Sequence, residues 1–169
     1  MKNPSKALAC ALALASICAT ARANASTAPL LGLTGSWRVT VTTYSCSPST
    51  QAPSLQFKSY VTFSLDGTLV ESTSSPLFQP GQRGSGHGFW ERSGRNFYRA
   101  VSEAFIQFST TPAPPPPQRG LLRGVQRIEQ GIEFIDRDHF SSTATATFFD
   151  EAGAIVMSLC ASAAAERMD

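Results

Sequence analysis

Lysine and histidine are nearly missing from this 169-residue chain, which has three Lys (Lys2, Lys6, Lys58) and two His (His87, His139). Charged residues of both signs make up only 15% of it. Nothing basic is present in the amount needed to hold a phosphate backbone, so nucleic acid is excluded as a partner. The two His have no cluster of other ligands around them, so the sequence points to no metal and no cofactor. No apolar run reaches the roughly 20 residues of a membrane-spanning helix, and no convincing amphipathic helix occurs. What is plentiful is apolar and aromatic. With 42% hydrophobic residues and 11 Phe, the chain is too apolar for a disordered one.

Residues 1–25 read as a secretory signal peptide. Lys2 and Lys6 form its charged start and Ala7 to Ala19 its apolar stretch. Ala23-Asn24-Ala25 places small residues where a signal peptidase reads them, giving cleavage before Ser26; Ala21-Arg22-Ala23 is a second such site. A lipid anchor at Cys18 is the rival reading, and the large β-branched Ile17 before it argues against that. The expected mature chain, 26–169, is one domain by length. It is expected to be secreted or periplasmic, with no integral membrane segment. Losing Lys2, Lys6 and Arg22 takes 14 basic residues to 11 against 12 acidic, a formal charge near −1. Cys10 and Cys18 leave with the signal. Cys46 and Cys160 remain, an even pair for which a disulfide is the default in an oxidising compartment.

The remainder alternates in the period of two that marks half-buried strands. Trp37 to Tyr44 puts Trp37, Val39 and Val41 on one face, and Phe57 to Leu65 does the same with Phe57, Val61, Phe63 and Leu65. Asp66-Gly67 is a strong hairpin signal and leads into Thr68 to Thr73. His87–Arg92 and Asn96–Phe108 flank Ser93-Gly94. Leu121 to Ile135, with a bulge expected at Gly131, turns at Asp136-Arg137-Asp138 into His139–Phe149. A last turn at Asp150–Gly153 leads into Ala154–Arg167. These eight strands predict an all-β fold. Tight and long connections alternate: 45–56, 74–86 and 110–120 are long, the last holding Pro114–Pro117, which reads as a stiff rim loop. In an up-and-down antiparallel barrel that alternation puts every long loop on one rim and leaves the other end closed. A Greek-key sandwich gives no reason for it.

Closure needs the first and last strands to pair. If Cys46 lies directly opposite Cys160, paired positions sum to 206, Val39 faces Arg167, and Trp37 is diagonal to Arg167. Both Cys then lie on the face opposite Trp37, and a bridge between them staples the seam.

Gly35-Ser36-Trp37 at the start of the first strand, with Arg167 at the end of the last, resembles the calycin superfamily of lipocalin-like barrels. In that family the Trp plugs the closed end and the Arg packs over it. The resemblance implies structural roles for Gly35, Trp37 and Arg167, and a barrel of eight strands. The chain departs from typical lipocalins in having no helix after its last strand.

The sequence assembles no catalytic constellation. The Gly86-His87-Gly88-Phe89-Trp90-Glu91 stretch reads as a strand entering from the mouth, with Trp90 inside. Ser85 lacks the Gly two places earlier that a nucleophile elbow uses. Asp136, Asp138 and Asp150 sit where turns favour Asp. Inward parity collects Val39, Val41, Phe63, Leu65, Phe140 and Phe148 with small residues at Gly124, Ala144, Ala146, Ala161 and Ala163, and also takes in Met157 and Leu159. The strand around Phe97, Tyr98, Phe105 and Ile106 is ambiguous in parity. Ser102 and Gln126 are the expected interior polar groups, and such groups require partners. Trp90, Tyr98, Ser102, Gln126 and Phe140 are therefore the candidate ligand-binding residues, for a small apolar or aromatic molecule. Two other classes stay open. One is a filled barrel acting through its rim loops. The other is an isomerase or cyclase, which requires His87, Glu91 and Tyr98 to converge.

Overall fold

The computed structural model of the chain describes residues 32–47, 53–110 and 120–168. The expected signal segment, its expected cleavage sites and the Pro114–Pro117 run lie outside the described residues. Eight strands follow one another: β1 (Gly35–Tyr44), β2 (Pro53–Phe63), β3 (Thr68–Thr73), β4 (Gly86–Arg92), β5 (Phe97–Ile106), β6 (Gly124–Phe134), β7 (His139–Asp150) and β8 (Ile155–Arg167). Each pairs antiparallel with the next, and β8 returns to β1, closing an up-and-down barrel. Closure removes both sheet edges, so every strand has its backbone partners on two sides.

The tight turns lie at one end, and two of the three are built by aspartates, the β4–β5 turn being held by the Arg92 guanidinium on the Gly94 and Arg95 carbonyls. Asp66 Oδ1 accepts from the Thr68 hydroxyl (2.7 Å) and amide (3.0 Å), and these bonds hold its carboxyl below the ordinary value. The Asp136 carboxylate accepts from the Asp138 amide (2.8 Å) and meets His139 Nδ1 (2.8 Å), with the same effect on its pKa. Gly67, at φ +86°, supplies the left-handed residue that the first of these turns needs. At the mouth, Asp150 closes the β7–β8 turn through the amides of Ala152 and Ala154.

The closed end is plugged by Trp37, which is fully buried and donates from Nε1 to the Leu33 carbonyl at 2.8 Å. Phe140 packs on it at 4.9 Å between ring centroids, and Phe134 at 6.2 Å. The Arg167 guanidinium lies 4.1 Å over the Trp37 ring. It donates to three carbonyls, those of Thr34 (2.7 Å), Arg137 (2.8 Å) and Gly32 (2.9 Å). Gly35 has φ +128°, and a β-carbon there would press on that guanidinium. Arg167→Lys is expected to cost about 1–3 kcal/mol, because one ammonium cannot reach three carbonyls fixed in a fan. Urea unfolding measures it, and a loss below about 0.5 kcal/mol would leave the cap without energetic weight.

Several expectations are corrected. Trp37 faces Arg167 directly, and Cys160 pairs with Tyr44, so paired positions sum to 204 rather than 206. The cause is that β1 ends at Tyr44 and Cys46 lies two residues past it, reaching back diagonally to Cys160. The two are bridged all the same, with Cα atoms 5.0 Å apart. A shift of two preserves facing, so inward parity is unaffected. Gly131 carries no bulge: it pairs in register with Arg99 on one side and Thr143 on the other. It faces outward, with open space where a β-carbon would stand. The register shifts occur instead at Thr43/Tyr44 and Phe148/Phe149. Leu65 is 74% exposed, since β2 stops at Phe63 and Leu65 belongs to the turn. On β5 the inward set is Tyr98, Ala100, Ser102, Ala104 and Ile106, while Phe97 and Phe105 face solvent.

Candidate functional site

Two apolar clusters fill the barrel at different heights. The closed-end cluster contains Trp37, Phe63, Tyr98, Ile132 and Phe140, with Trp90 packed against it. The mouth cluster holds Ile106, Leu121 and Phe148, joined by Phe78 and Leu159. Between them a cavity of about 110 Å³ remains. Phe140 is its floor, and Leu77 and Phe78 from the β3–β4 loop border it towards the mouth. Val39, Val41 and Val61 form one wall, and Ala144, Ala146, Ala161 and Ala163 another. The small residues on β7 and β8 leave the space that larger side chains would fill.

The roof is held in place by its own loop. Gln82 is completely buried, donates from Nε2 to the Phe108 carbonyl (2.9 Å) and accepts at Oε1 from the Gln79 amide (3.0 Å). Its own carbonyl accepts from Gln107 at 2.7 Å. The next residue, Arg83, forms a lone bridge with Ile106 and turns its side chain inward.

That side chain builds the polar side of the cavity. The Arg83 side chain is 3% exposed and makes an ion pair through Nη2 with Oε1 of Glu71 on β3, whose side chain is 10% exposed. Its Nε donates to Gln126 Oε1 on β6 at 2.5 Å, and Nη1 donates to the Gly84 carbonyl at 3.1 Å. A face of the same guanidinium lies 5.7 Å from the Phe78 ring centre. Gly86 lies opposite Glu71 on β4, and a β-carbon at Gly86 would strike the Glu71 carboxyl arm. The glycine therefore leaves the room that the carboxylate occupies. A buried charge pair is tolerated only with both partners present and further hydrogen bonds around them, which Gln126 and Gly84 supply.

Of the five candidate ligand-binding residues, Ser102, Gln126 and Phe140 border this cavity. Trp90 and Tyr98 do not. Both point inward, but at closed-end height, where Trp90 stacks at 5.9 Å from Phe63 and 5.7 Å from Tyr98 and donates to the Ser64 carbonyl. They support the floor from below. Glu71 and Arg83 went unnoticed in the sequence. Glu71 shares the parity of Leu69 within Thr68–Thr73, which is a signal for an inward carboxylate. Arg83 sits in a loop, where periodicity says nothing about facing.

His87 and Glu91 lie on the outer face of β4 while Tyr98 is buried inside, so these three do not converge. Cys46 and Cys160 are joined to each other. Among the described residues, no group of three or more His, Cys, Asp or Glu is placed to hold a metal ion. No helix among them is long and apolar enough to cross a membrane. The chain matches no family model and no curated protein.

Proposed function

We propose that the protein is a secreted, lipocalin-like binding module that takes a small apolar or aromatic molecule into the barrel interior. The observation that carries the reading is the cavity left between two packed clusters, apolar on most sides and bordered towards the mouth by Leu77 and Phe78 of the β3–β4 loop. Its size sets the ligand. Sites for drug-sized molecules run to about 300–1,000 Å³, whereas an apolar cavity of about 150 Å³ takes a benzene ring. At about 110 Å³ this one suits a single ring or a short branched chain. The cap of Arg167 over Trp37 supports the lipocalin-like reading, and the leader-like 1–25 segment together with the disulfide supports secretion.

The same small volume favours a second reading, a filled barrel acting through its mouth loops. Melting curves separate the two. Benzene and toluene are expected to raise the melting temperature saturably, a ligand at a hundred times its Kd adding about 2.7 kcal/mol. Ala161→Leu, which occupies the cavity, is expected to abolish that rise. A wild-type protein indifferent to every ring-sized apolar compound is a filled barrel.

A further inference from the structure

The polar side of the cavity is built to read one group on its occupant. Glu71 on β3, Ser102 on β5 and Gln126 on β6 are all at least nine-tenths buried and border the same space. The strand between them, β4, contributes Gly86 and Gly88 at this level and no side chain. Each of the three keeps hydrogen-bonding capacity in reserve. Glu71 uses one carboxylate oxygen on Arg83 and Gln126 uses its carbonyl oxygen, leaving the other carboxylate oxygen and the amide nitrogen without a partner among the described residues. The Ser102 hydroxyl has no partner among the described residues. None of these atoms is sealed in apolar packing, and the residues that carry them line the cavity. Polar groups on a cavity wall with spare hydrogen-bonding capacity favour an occupant that can meet them over one that cannot.

Charge then narrows the class. Among the described residues, the only ionisable groups bordering the cavity are Glu71 and Arg83, which neutralise each other. A carboxylate ligand would bring a second anion onto a guanidinium already bonded to Glu71, Gln126 and Gly84. An ammonium would leave a second cation beside it. Either leaves a buried charge uncompensated. A neutral group that both donates and accepts fits: the donor meets the free Glu71 oxygen, and the acceptor meets the Ser102 hydroxyl, with Gln126 Nε2 beside it.

Resting on the interior-binding reading above, we infer that the ligand is an uncharged ring-sized molecule carrying a hydroxyl or primary amide, its polar end between Glu71, Ser102 and Gln126 and its apolar body against Val39, Val41 and Phe140. Calorimetric titration of the wild-type protein at pH 7 with benzene, phenol and benzoate tests it. Phenol is expected to bind about tenfold more tightly than benzene, and benzoate at least tenfold more weakly than phenol. In Ser102→Ala the advantage of phenol over benzene is expected to shrink while benzene affinity holds. Equal affinities for benzene and phenol, benzoate as the tightest of the three, or an undiminished phenol advantage in Ser102→Ala would each overturn the inference and leave interior binding standing. If none of the three binds, interior binding falls as well.

Discussion

Replacing both Cys46 and Cys160 by Ser is expected to lower the unfolding free energy by about 4–5 kcal/mol, a large share of the stability of an ordinary domain. The bridge joins residues 114 apart in sequence, so its loss releases nearly the whole described barrel from loop closure in the unfolded state. The barrel itself is expected to stay closed, because the seam has its own ladder: Trp37 to Tyr44 pair residue by residue with Arg167 back to Cys160. Guanidinium unfolding of the variant against the oxidised protein, with far-ultraviolet circular dichroism of both native states, measures the two parts separately. A change below 1 kcal/mol would mean that the seam alone holds the first strand to the last. A native spectrum lost in the variant would mean that the bridge, rather than the ladder, closes the barrel.

The second large effect concerns the buried ion pair. Arg83→Met is expected to destabilise by about 3–5 kcal/mol, since it leaves the Glu71 carboxylate buried without its cation. It also removes the donor to Gln126 and the guanidinium stacked near Phe78, loosening the 74–85 loop. Glu71→Leu combined with Arg83→Met is expected to recover most of that loss, because two apolar chains of similar bulk need no partners. The double-mutant cycle reads the difference as a coupling energy. A double variant as unstable as the sum of the singles would show that the two side chains contribute independently and that the pair is not a unit.

The strands were legible because most alternate cleanly, β5 excepted, and each tight turn carries its own chemistry. Thr68–Thr73 is bounded as the sequence predicts, and the one-ended distribution of long loops follows from the same reading. The ends of strands were less legible. Leu65 continues the alternation of β2, yet the Asp66-Gly67 turn draws it out to solvent. The seam register was two residues off because a disulfide does not require its cysteines to be direct partners, and nothing local in Tyr44-Ser45-Cys46 announces where pairing stops.

The interior was legible by parity and not by height. Ser102, Gln126 and Phe140 border the cavity, and Trp90 and Tyr98, equally inward, lie below its floor. Alternation fixes which face a residue takes, whereas depth along the axis depends on strand stagger, which only the closed register supplies. Arg83 escaped for a different reason. Its facing is set by the lone bridge to Ile106 and by Gln82 tying the loop to the end of β5, contacts between residues more than twenty apart.

Methyl-resolved NMR during a benzene titration tests interior binding most directly. Saturable shifts are expected in the methyl groups of Val39, Val41, Val61 and Leu159, which border the cavity, and not in those of Val70, Leu122 or Ile155, which face solvent. Shifts confined to the solvent-facing methyls, or none at any concentration benzene reaches in water, would contradict it.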